Sequence, residues 1–426
     1  MTPTVSMPRF RVTVVVLGDL GRSPRMLYHA RSLADSGAEV HLVGYGETEL
    51  PPEVAGDPRI VVHVLAAPAG ARRHALARPL FLAVAFWNAI RAAAALLATL
   101  SHTVEPHSEI LVQNPPTIPA LVVALAVARL RSARLVVDWH NLGWAMLALR
   151  LGPRHPLVRL VRALERALGR RADAHLCVSR ALAAELVRWK VGQATVFRDR
   201  PGAGFAPLLP EERRKLLAEL AQRLDLPGLD GDGADDRPAL VVSPTSWTVD
   251  EDFDLIVEAA VQWDRRVGPA RPRLDIVITG QGPLRADYER RFATLRLERV
   301  RIRTLWLPAG AYRRFLAAAD VGLCLHRSAS GLDLPMKVAD LFGAGVPVVA
   351  FDYGPCLGEL AREGDNALLF RSSEELVECL RRVLDGFPAR AALLDRLRAG
   401  VARETEQRWA DAWTAAARPV LVPDVA

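Results

Sequence analysis

The stretch "RVTVVVLGDLGRSPRMLYHARSLADSGAEVHLVGY", residues 11–45, changes period twice. A β-branched run over residues 11–17 ends in a loop holding two glycines and two arginines. The segment around Leu27 to Ala34 reads as helix, and Gly37 turns the chain into a second β-branched run. Strand, loop, helix, strand is the unit that builds a parallel doubly wound sheet.

The unit recurs. "EILVQNPP" (109–116) and "ARLVVDWHN" (133–141) read as strands ending in polar residues, with the apolar helix "IPALVVALAVARL" (118–130) between them. "AHLCVS" (174–179) follows a basic helix over 156–171 and precedes the helix "RALAAELVRW" (180–189). Gly, Asp and Pro then crowd into "LDLPGLDGDGADDRPA" (224–239), and the 230–236 part reads as a solvated loop. Beyond it the rhythm restarts with "ALVVSPTSW", "LDIVITGQGP", "RIRTLWL", "VGLCLH" and "VPVVAF". The chain therefore reads as α/β: two doubly wound, Rossmann-like domains facing a crevice, which suits a length of 426 residues. The expected division is 1–205, 206–400, and a closing amphipathic helix over 401–426, with Trp409 and Trp413 on one face, that crosses back to the first domain.

The bulk numbers exclude several classes. Half the residues are apolar (50%), enough for large cores. Cys177, Cys324, Cys356 and Cys379 lie far apart without paired spacing, which argues against a zinc knuckle and against a disulfide framework. Residues 1–205 hold 25 Lys/Arg against 14 Asp/Glu, and residues 206–426 hold 30 against 34, so the first half is the basic one. Basic surfaces attract phosphates of any kind. No aromatic-rich signature or nucleic-acid motif accompanies the charge, and nucleic acid is not an expected partner.

The opening apolar run, residues 12–17, is too short for a signal peptide or a span. "PLFLAVAFWNAIRAAAALLATL" (79–100) is long enough to cross a bilayer, but Asn88 and Arg91 interrupt it. It reads better as a core helix or one lying in a membrane surface, so no transmembrane helix is expected. The helix over 156–171 places Leu157, Leu160, Val161, Leu164 and Leu168 at helical spacing, with arginines on its other faces. Such a helix packs on a sheet, or grips an anionic bilayer.

Chemistry concentrates in the loops at strand ends, where open parallel sheets bind ligands. "SGLDLPMKVADLFGAGVPVV" (330–349) follows the strand ending at His326, and Pro335 opens a helix. First-turn amides together with Lys337 make a phosphate site by geometry and dipole. Asp333 and Asp340 suit the hydroxyls of a sugar and a ribose. The plain alternative is a helix cap at Asp333 and a solvated Lys337–Asp340 pair.

Six segments in order, "LGDLGRSPRMLYHARSLA", "VQNPPTIPALVVA", "VVDWHNLGW", "VSPTSWTVDEDFDLIVEAA", "VITGQGPLRADY" and "SGLDLPMKVADLFGAGVPV", resemble the chitobiosyldiphosphodolichol β-mannosyltransferase family of GT-B glycosyltransferases. The resemblance runs from about residue 11 to about residue 380. It implies transfer of mannose from GDP-mannose to a lipid-linked diphospho-disaccharide with inversion at the anomeric carbon. Eukaryotic members begin with a membrane-spanning helix, and none is expected in this chain. The reading therefore expects a cytoplasmic protein peripheral to the inner face of a membrane. The composition points to a bacterial relative, with a polyprenyl-diphosphate sugar or another glycolipid as acceptor.

In retaining GT-B relatives two acids eight apart mark the donor site, whereas Asp333 and Asp340 are seven apart. Counting back five from Gly345 assigns the ribose to Asp340. An inverting transfer needs a base for the acceptor hydroxyl. His140, at the end of "DWH", is one candidate, with a structural histidine or a donor-sugar contact as the alternative. His140 and Asp333 are the catalytic candidates.

The donor set comprises Gly18, Gly21 and Arg22 after the first strand, with Arg25 as a second phosphate-facing arginine. It continues with Ser246, Trp247 and Glu251 in "SWTVDEDF", and with Gly280 and Gly282 in "TGQGP". The remaining members are His326, Ser330, Gly331, Leu332, Lys337, Asp340 and Glu359. Acids in a first helical turn, or a plain glycine turn, would explain several of these without a ligand. No metal or cofactor is expected, since no His/Cys cluster is present. Lys337, loop amides and a helix dipole could hold the leaving diphosphate instead.

Overall fold

The computed structural model describes residues 10–67, 78–202, 204–231, 237–266 and 272–422. It forms two compact units: residues 1–198 with 410–426, and residues 199–409.

The first unit carries seven strands: β1 (Phe10–Asp19), β2 (Ala38–Tyr45), β3 (Ile60–Leu65), β4 (Glu109–Asn114), β5 (Arg134–Trp139), β6 (Ala174–Cys177) and β7 (Thr195–Val196). Their order is β3-β2-β1-β4-β5-β6-β7, with parallel pairing throughout. The second unit repeats the plan with β8 (Ala239–Pro244), β9 (Leu274–Thr279), β10 (Val300–Leu305), β11 (Val321–Cys324), β12 (Val348–Phe351) and β13 (Ala367–Phe370), in the order β10-β9-β8-β11-β12-β13. Strand order reverses between β1 and β4 in one sheet and between β8 and β11 in the other. Every residue of β8 and β9 is buried, as strands covered by helices on both faces must be.

Three expectations change. The closing segment is not one helix. Helix Ala392–Glu404 ends, and Trp409–Ala412, a π-turn at Trp413–Ala417 and Arg418–Leu421 follow. Trp409 and Trp413 are both buried, but in different units.

The apolar helix Arg78–Thr103 is not a core helix. It buries Asn88, Leu96 and Leu100, while Phe86, Trp87, Ile90 and Leu97 face outward. Its Ala83–Thr103 part is long and apolar enough to cross a membrane, and only 17% of the apolar window is buried.

Helix Pro156–Gly169 turns a different stripe inward from the leucine one. Val158, Glu165 and Gly169 are buried, and Leu160 remains exposed. Glu165 is the reason. Its carboxylate accepts from Asn114 Nδ2 (2.7 Å), Thr117 Oγ1 (2.8 Å) and the Gly143 amide (2.7 Å), so it ties β4 to the start of helix Gly143–Leu151. Burial raises its pKa, against those hydrogen bonds.

Of the loop 230–236 read as solvated, residues 232–236 lie outside the described residues. The four cysteines are buried and none forms a disulfide.

Candidate functional site

The reversal point of a doubly wound sheet leaves a gap at the strand carboxyl ends, because neighbouring loops run to opposite faces. In the second unit those loops are 245–253 after β8 and 325–335 after β11. An isolated antiparallel bridge joins them at Glu251 and His326. Helix Met336–Gly343 starts where the second loop ends, with Pro335 at its N-cap and no side chain capping it.

Glu251 organises the site. One carboxylate oxygen accepts from the Thr245 hydroxyl and the Ser246 amide (3.0 Å), and the other accepts from Lys337 Nζ. The side chain of Glu251 is 1% exposed and that of Lys337 is 21% exposed. The lysine's partner is therefore Glu251, and the alternative Lys337–Asp340 pair does not form.

His326 lies between two acids, Asp333 on Nε2 (3.0 Å) and Asp250 near Nδ1 (3.5 Å). Burial opposes a charge on the ring, but the two carboxylates outweigh it and raise the pKa to about 9. Asp250 is likewise penalised by burial, yet His326 and Thr248 hold it well below the usual carboxylate range. His326 is thus a cation at neutral pH.

Asp333 also accepts from Ser328 Oγ, and its own carbonyl accepts from Tyr353 O–H (2.7 Å). It anchors the loop and does not cap the helix. Gly331, at φ 74°, donates its amide to Ser328 Oγ (2.8 Å), and Leu332 donates to Ser330 Oγ (3.1 Å), which sets the turn before Asp333. Glu359 ends the short turn Pro355–Glu359. Burial first, then the Asp333 carboxylate and, further down, that of Glu359, raise the pKa of Tyr353.

Asp340, one helical turn after Lys337, accepts from Tyr312 O–H (3.3 Å). Burial, reinforced by the charge of Asp199 and opposed by the Tyr312 hydrogen bond, lifts it to about 7.

Gly280 and Gly282 are needed for a protein contact. A Cβ would fall 1.9 Å from the Thr245 carbonyl oxygen at Gly280 and 1.8 Å from that of Ser246 at Gly282. The two glycines let the loop after β9 lie on the loop after β8. Trp247 belongs to the same contact. Its ring is fully buried and stacks on Phe253 (centroids 4.5 Å apart), so only its backbone is left to meet a ligand.

In the first unit the corresponding loops follow β1, β4 and β5. A Cβ on Gly18 would make only ordinary contact with Val16 Cγ1 (3.8 Å), and Arg22 is exposed. A Cβ on Gly21 would lie 2.7 Å from the Thr48 carbonyl, so this glycine too serves packing. Arg25 meets no phosphate. It is 1% exposed and grips Asp138 with Nε (2.7 Å) and an Nη (2.9 Å), and its other Nη donates to the Phe197 carbonyl (2.9 Å). Asp138 also faces His140 Nε2 at 2.9 Å. Burial would raise the Asp138 pKa, but Arg25 and the histidines hold it well below the usual range.

The structure thus gathers Ser246, Glu251, His326, Asp333 and Lys337 in one cluster and puts Asp340 a turn further along the helix. Gly18, Arg22 and His140 belong to the other unit. Thr245, Asp250, Tyr312 and Tyr353 complete the second unit's cluster. The alternation of small polar and acidic residues in "PTSWTVDEDF" signals the first two, and nothing in the local pattern signals the tyrosines. Among the described residues no group of three or more His, Cys, Asp or Glu is placed to hold a metal ion.

Residues 21–198 match the family described as "Glycosyl transferase 4-like domain", and residues 261–418 match "Glycosyl transferase-like". The chain is 40% identical to "UDP-glycosyltransferase TURAN" of Arabidopsis thaliana, with 97% of each chain covered. It is 37% identical to "Chitobiosyldiphosphodolichol beta-mannosyltransferase" of Mus musculus, over 96% of this chain and 89% of that one. Among solved structures, WaaG, "a glycosyltransferase involved in lipopolysaccharide biosynthesis", superposes with a TM-score of 0.62 over 97% of this chain and 100% of that one, at 15% identity. That likeness shows the GT-B fold.

Proposed function

The chain belongs to the chitobiosyldiphosphodolichol β-mannosyltransferase family and is a hexosyltransferase, and from that premise we propose that it moves mannose from GDP-mannose to a lipid-linked diphospho-oligosaccharide with inversion. One observation carries the donor half: Lys337 and the cationic His326 flank the uncapped amino end of helix Met336–Gly343, with Glu251 bonded to both of their segments. Two positive groups beside free amides suit a leaving diphosphate. Asp340, a turn below, suits the ribose hydroxyls. In the reaction the acceptor oxygen bonds to the anomeric carbon, the bond from that carbon to the phosphate oxygen breaks, and its electron pair leaves with GDP. The acceptor's proton goes to His140.

A lipid-linked acceptor sits at a membrane surface. The outward Phe86, Trp87, Ile90 and Leu97 support peripheral attachment there. Arg91, exposed midway along the same helix, would be costly at a bilayer centre, which favours lying in the surface over spanning. A cytoplasmic-face location is part of the same proposal.

A second reading, a different nucleotide sugar, is favoured by the name of the 40% identical relative, a UDP-glycosyltransferase. Both readings are tested by offering purified protein GDP-mannose, UDP-glucose and UDP-N-acetylglucosamine with a chitobiosyl-diphospho-lipid. A product carrying mannose that β-mannosidase releases supports the first reading. Transfer from a UDP sugar alone overturns it.

A further inference from the structure

Within the first unit, the buried acid behind His140 lies beside a second histidine, His29, whose ring is fixed by Trp413. Trp413 Nε1–H donates to His29 Nδ1 at 3.1 Å, and both side chains are buried. An indole nitrogen can only donate, so Nδ1 must accept. A neutral imidazole accepting at Nδ1 carries its proton on Nε2. That nitrogen lies 3.4 Å from Asp138 Oδ2, an electrostatic approach without hydrogen-bond geometry, and its N–H dipole points positive charge at the carboxylate. The same carboxylate oxygen faces His140 Nε2 at 2.9 Å and Arg25 Nε at 2.7 Å. An ionised carboxylate only accepts, so His140 must present its proton at Nε2, which leaves Nδ1 as the nitrogen with a free pair.

We infer that Trp413, His29 and Asp138 are positioning residues that fix the tautomer of His140, so that its Nδ1 takes the acceptor proton during glycosyl transfer. This rests on the assignment of His140 as the base. Asp138 then stabilises the imidazolium formed as the hydroxyl proton arrives, while the electron pair of the broken glycosyl bond leaves with the nucleoside diphosphate. Burial keeps His29 neutral by lowering its pKa, and Arg25 is the charged group that keeps Asp138 ionised. Trp413 lies some 270 residues or more from every other member of the set, so a segment far along the chain fixes the ring that faces the acid behind the loop after β5.

Two readouts test the inference. In protein carrying ¹⁵N-histidine, with signals assigned through His29→Gln and His140→Gln, both rings should show the Nε2–H tautomer. Trp413→Phe, which keeps an aromatic ring but removes the donor, should shift the His29 signals toward a tautomer mixture and broaden or shift those of His140. Kinetically, Trp413→Phe should lower kcat about 10-fold with the donor KM within twofold, and Asp138→Asn about 10³–10⁴-fold. The pH profile of kcat should move in both variants.

An Nδ1–H tautomer for His140 in the unsubstituted protein overturns the inference. So do unchanged nitrogen signals in Trp413→Phe, or full activity of His140→Gln. Trp413→Phe needs no buried charge to be abandoned, so it reports even where Asp138→Asn fails to fold. Should the unsubstituted protein transfer no sugar, the proposed function fails, while the nitrogen signals still decide the two histidine tautomers.

Discussion

Lys337 Nζ is bonded to Oε1 of Glu251, a carboxylate whose side chain is 1% exposed. The lysine is therefore structural in the free protein and, under the proposed function, a phosphate ligand in the complex. Removing it strands a buried charge. Lys337→Met should cost about 2–4 kcal/mol in urea unfolding and abolish transfer. Adding Glu251→Gln should restore most of the stability while transfer stays absent, since the Thr245 and Ser246 bonds can still be accepted by an amide oxygen. Recovery of transfer in the double variant would remove Lys337 from the donor site.

The His326 pKa, raised to about 9 by Asp250 and Asp333 against the effect of burial, ties stability to pH. A histidine raised above its unfolded value of about 6.5 contributes fully below that pH, and the contribution is lost as pH rises through 9. Between pH 7 and 9 the unfolding free energy should fall by up to about 1.4 kcal/mol per pH unit from this group. His326→Gln should flatten that limb in denaturant titrations at pH 6 to 10. An unchanged slope would mean the ring is not charged.

Asp340 also lowers stability as pH rises, over a more acidic range and for the opposite reason, because here it is the charged form that folding disfavours. Burial first, with Asp199 adding to it, lifts its pKa to about 7, so ionising it opposes folding as pH rises from about 4 through 7. Asp340→Asn should therefore stabilise the free protein at pH 8. It should also weaken GDP binding by about 10-fold, because a ribose hydroxyl loses a charged acceptor. Calorimetric titration with GDP, beside thermal melts at pH 5 and 8, separates the two effects. A variant with unweakened GDP binding would place the ribose elsewhere.

The sheets were legible in the sequence because strand runs such as "RVTVVVL" and "LDIVIT" are buried on both faces, and an unbroken β-branched run admits little else. The neighbourhood of Lys337 was legible too, since a proline at a helix start after a strand has few other geometries. Partners were not legible. Arg25 and Arg22 sit three residues apart in one loop-helix segment, and only three-dimensional contact with Asp138 separates the buried arginine from the exposed one. Gly280 and Gly282 look like ligand-facing glycines, but the backbone that approaches them is that of Thr245 and Ser246, 35 and 36 residues earlier. The burial of Glu165 reorients a whole helix, and its partners at Asn114 and Thr117 are about 50 residues away. The apolar stretch 79–100 admits both a core and a membrane-surface reading in the sequence, because hydrophobicity alone does not say whether the covering layer is protein or lipid.

That helix carries the final prediction. Ala83, Phe86, Trp87, Ile90, Ala94 and Leu97 follow helical spacing and all face outward. The surface they make is apolar apart from Arg91, whose long chain can reach the headgroup level from a helix lying flat. Arg159 and Arg162, exposed on helix Pro156–Gly169, would add attraction to an anionic bilayer of about 1 kcal/mol each if they reach it. The protein should therefore float with phosphatidylglycerol vesicles and less with neutral ones. Carbonate should release it, as it would not release a spanning helix. Phe86→Ser with Trp87→Ser removes two large apolar side chains that are already exposed, so folding should be unaffected while vesicle partitioning falls about 100-fold, from about 1.5 kcal/mol per ring in partial burial. Activity on a short-chain acceptor in detergent should stay at the unsubstituted level, because neither ring is among the residues assigned to donor or base. Equal flotation of the double variant would show that these rings do not meet lipid, and resistance to carbonate would show that the helix crosses the membrane.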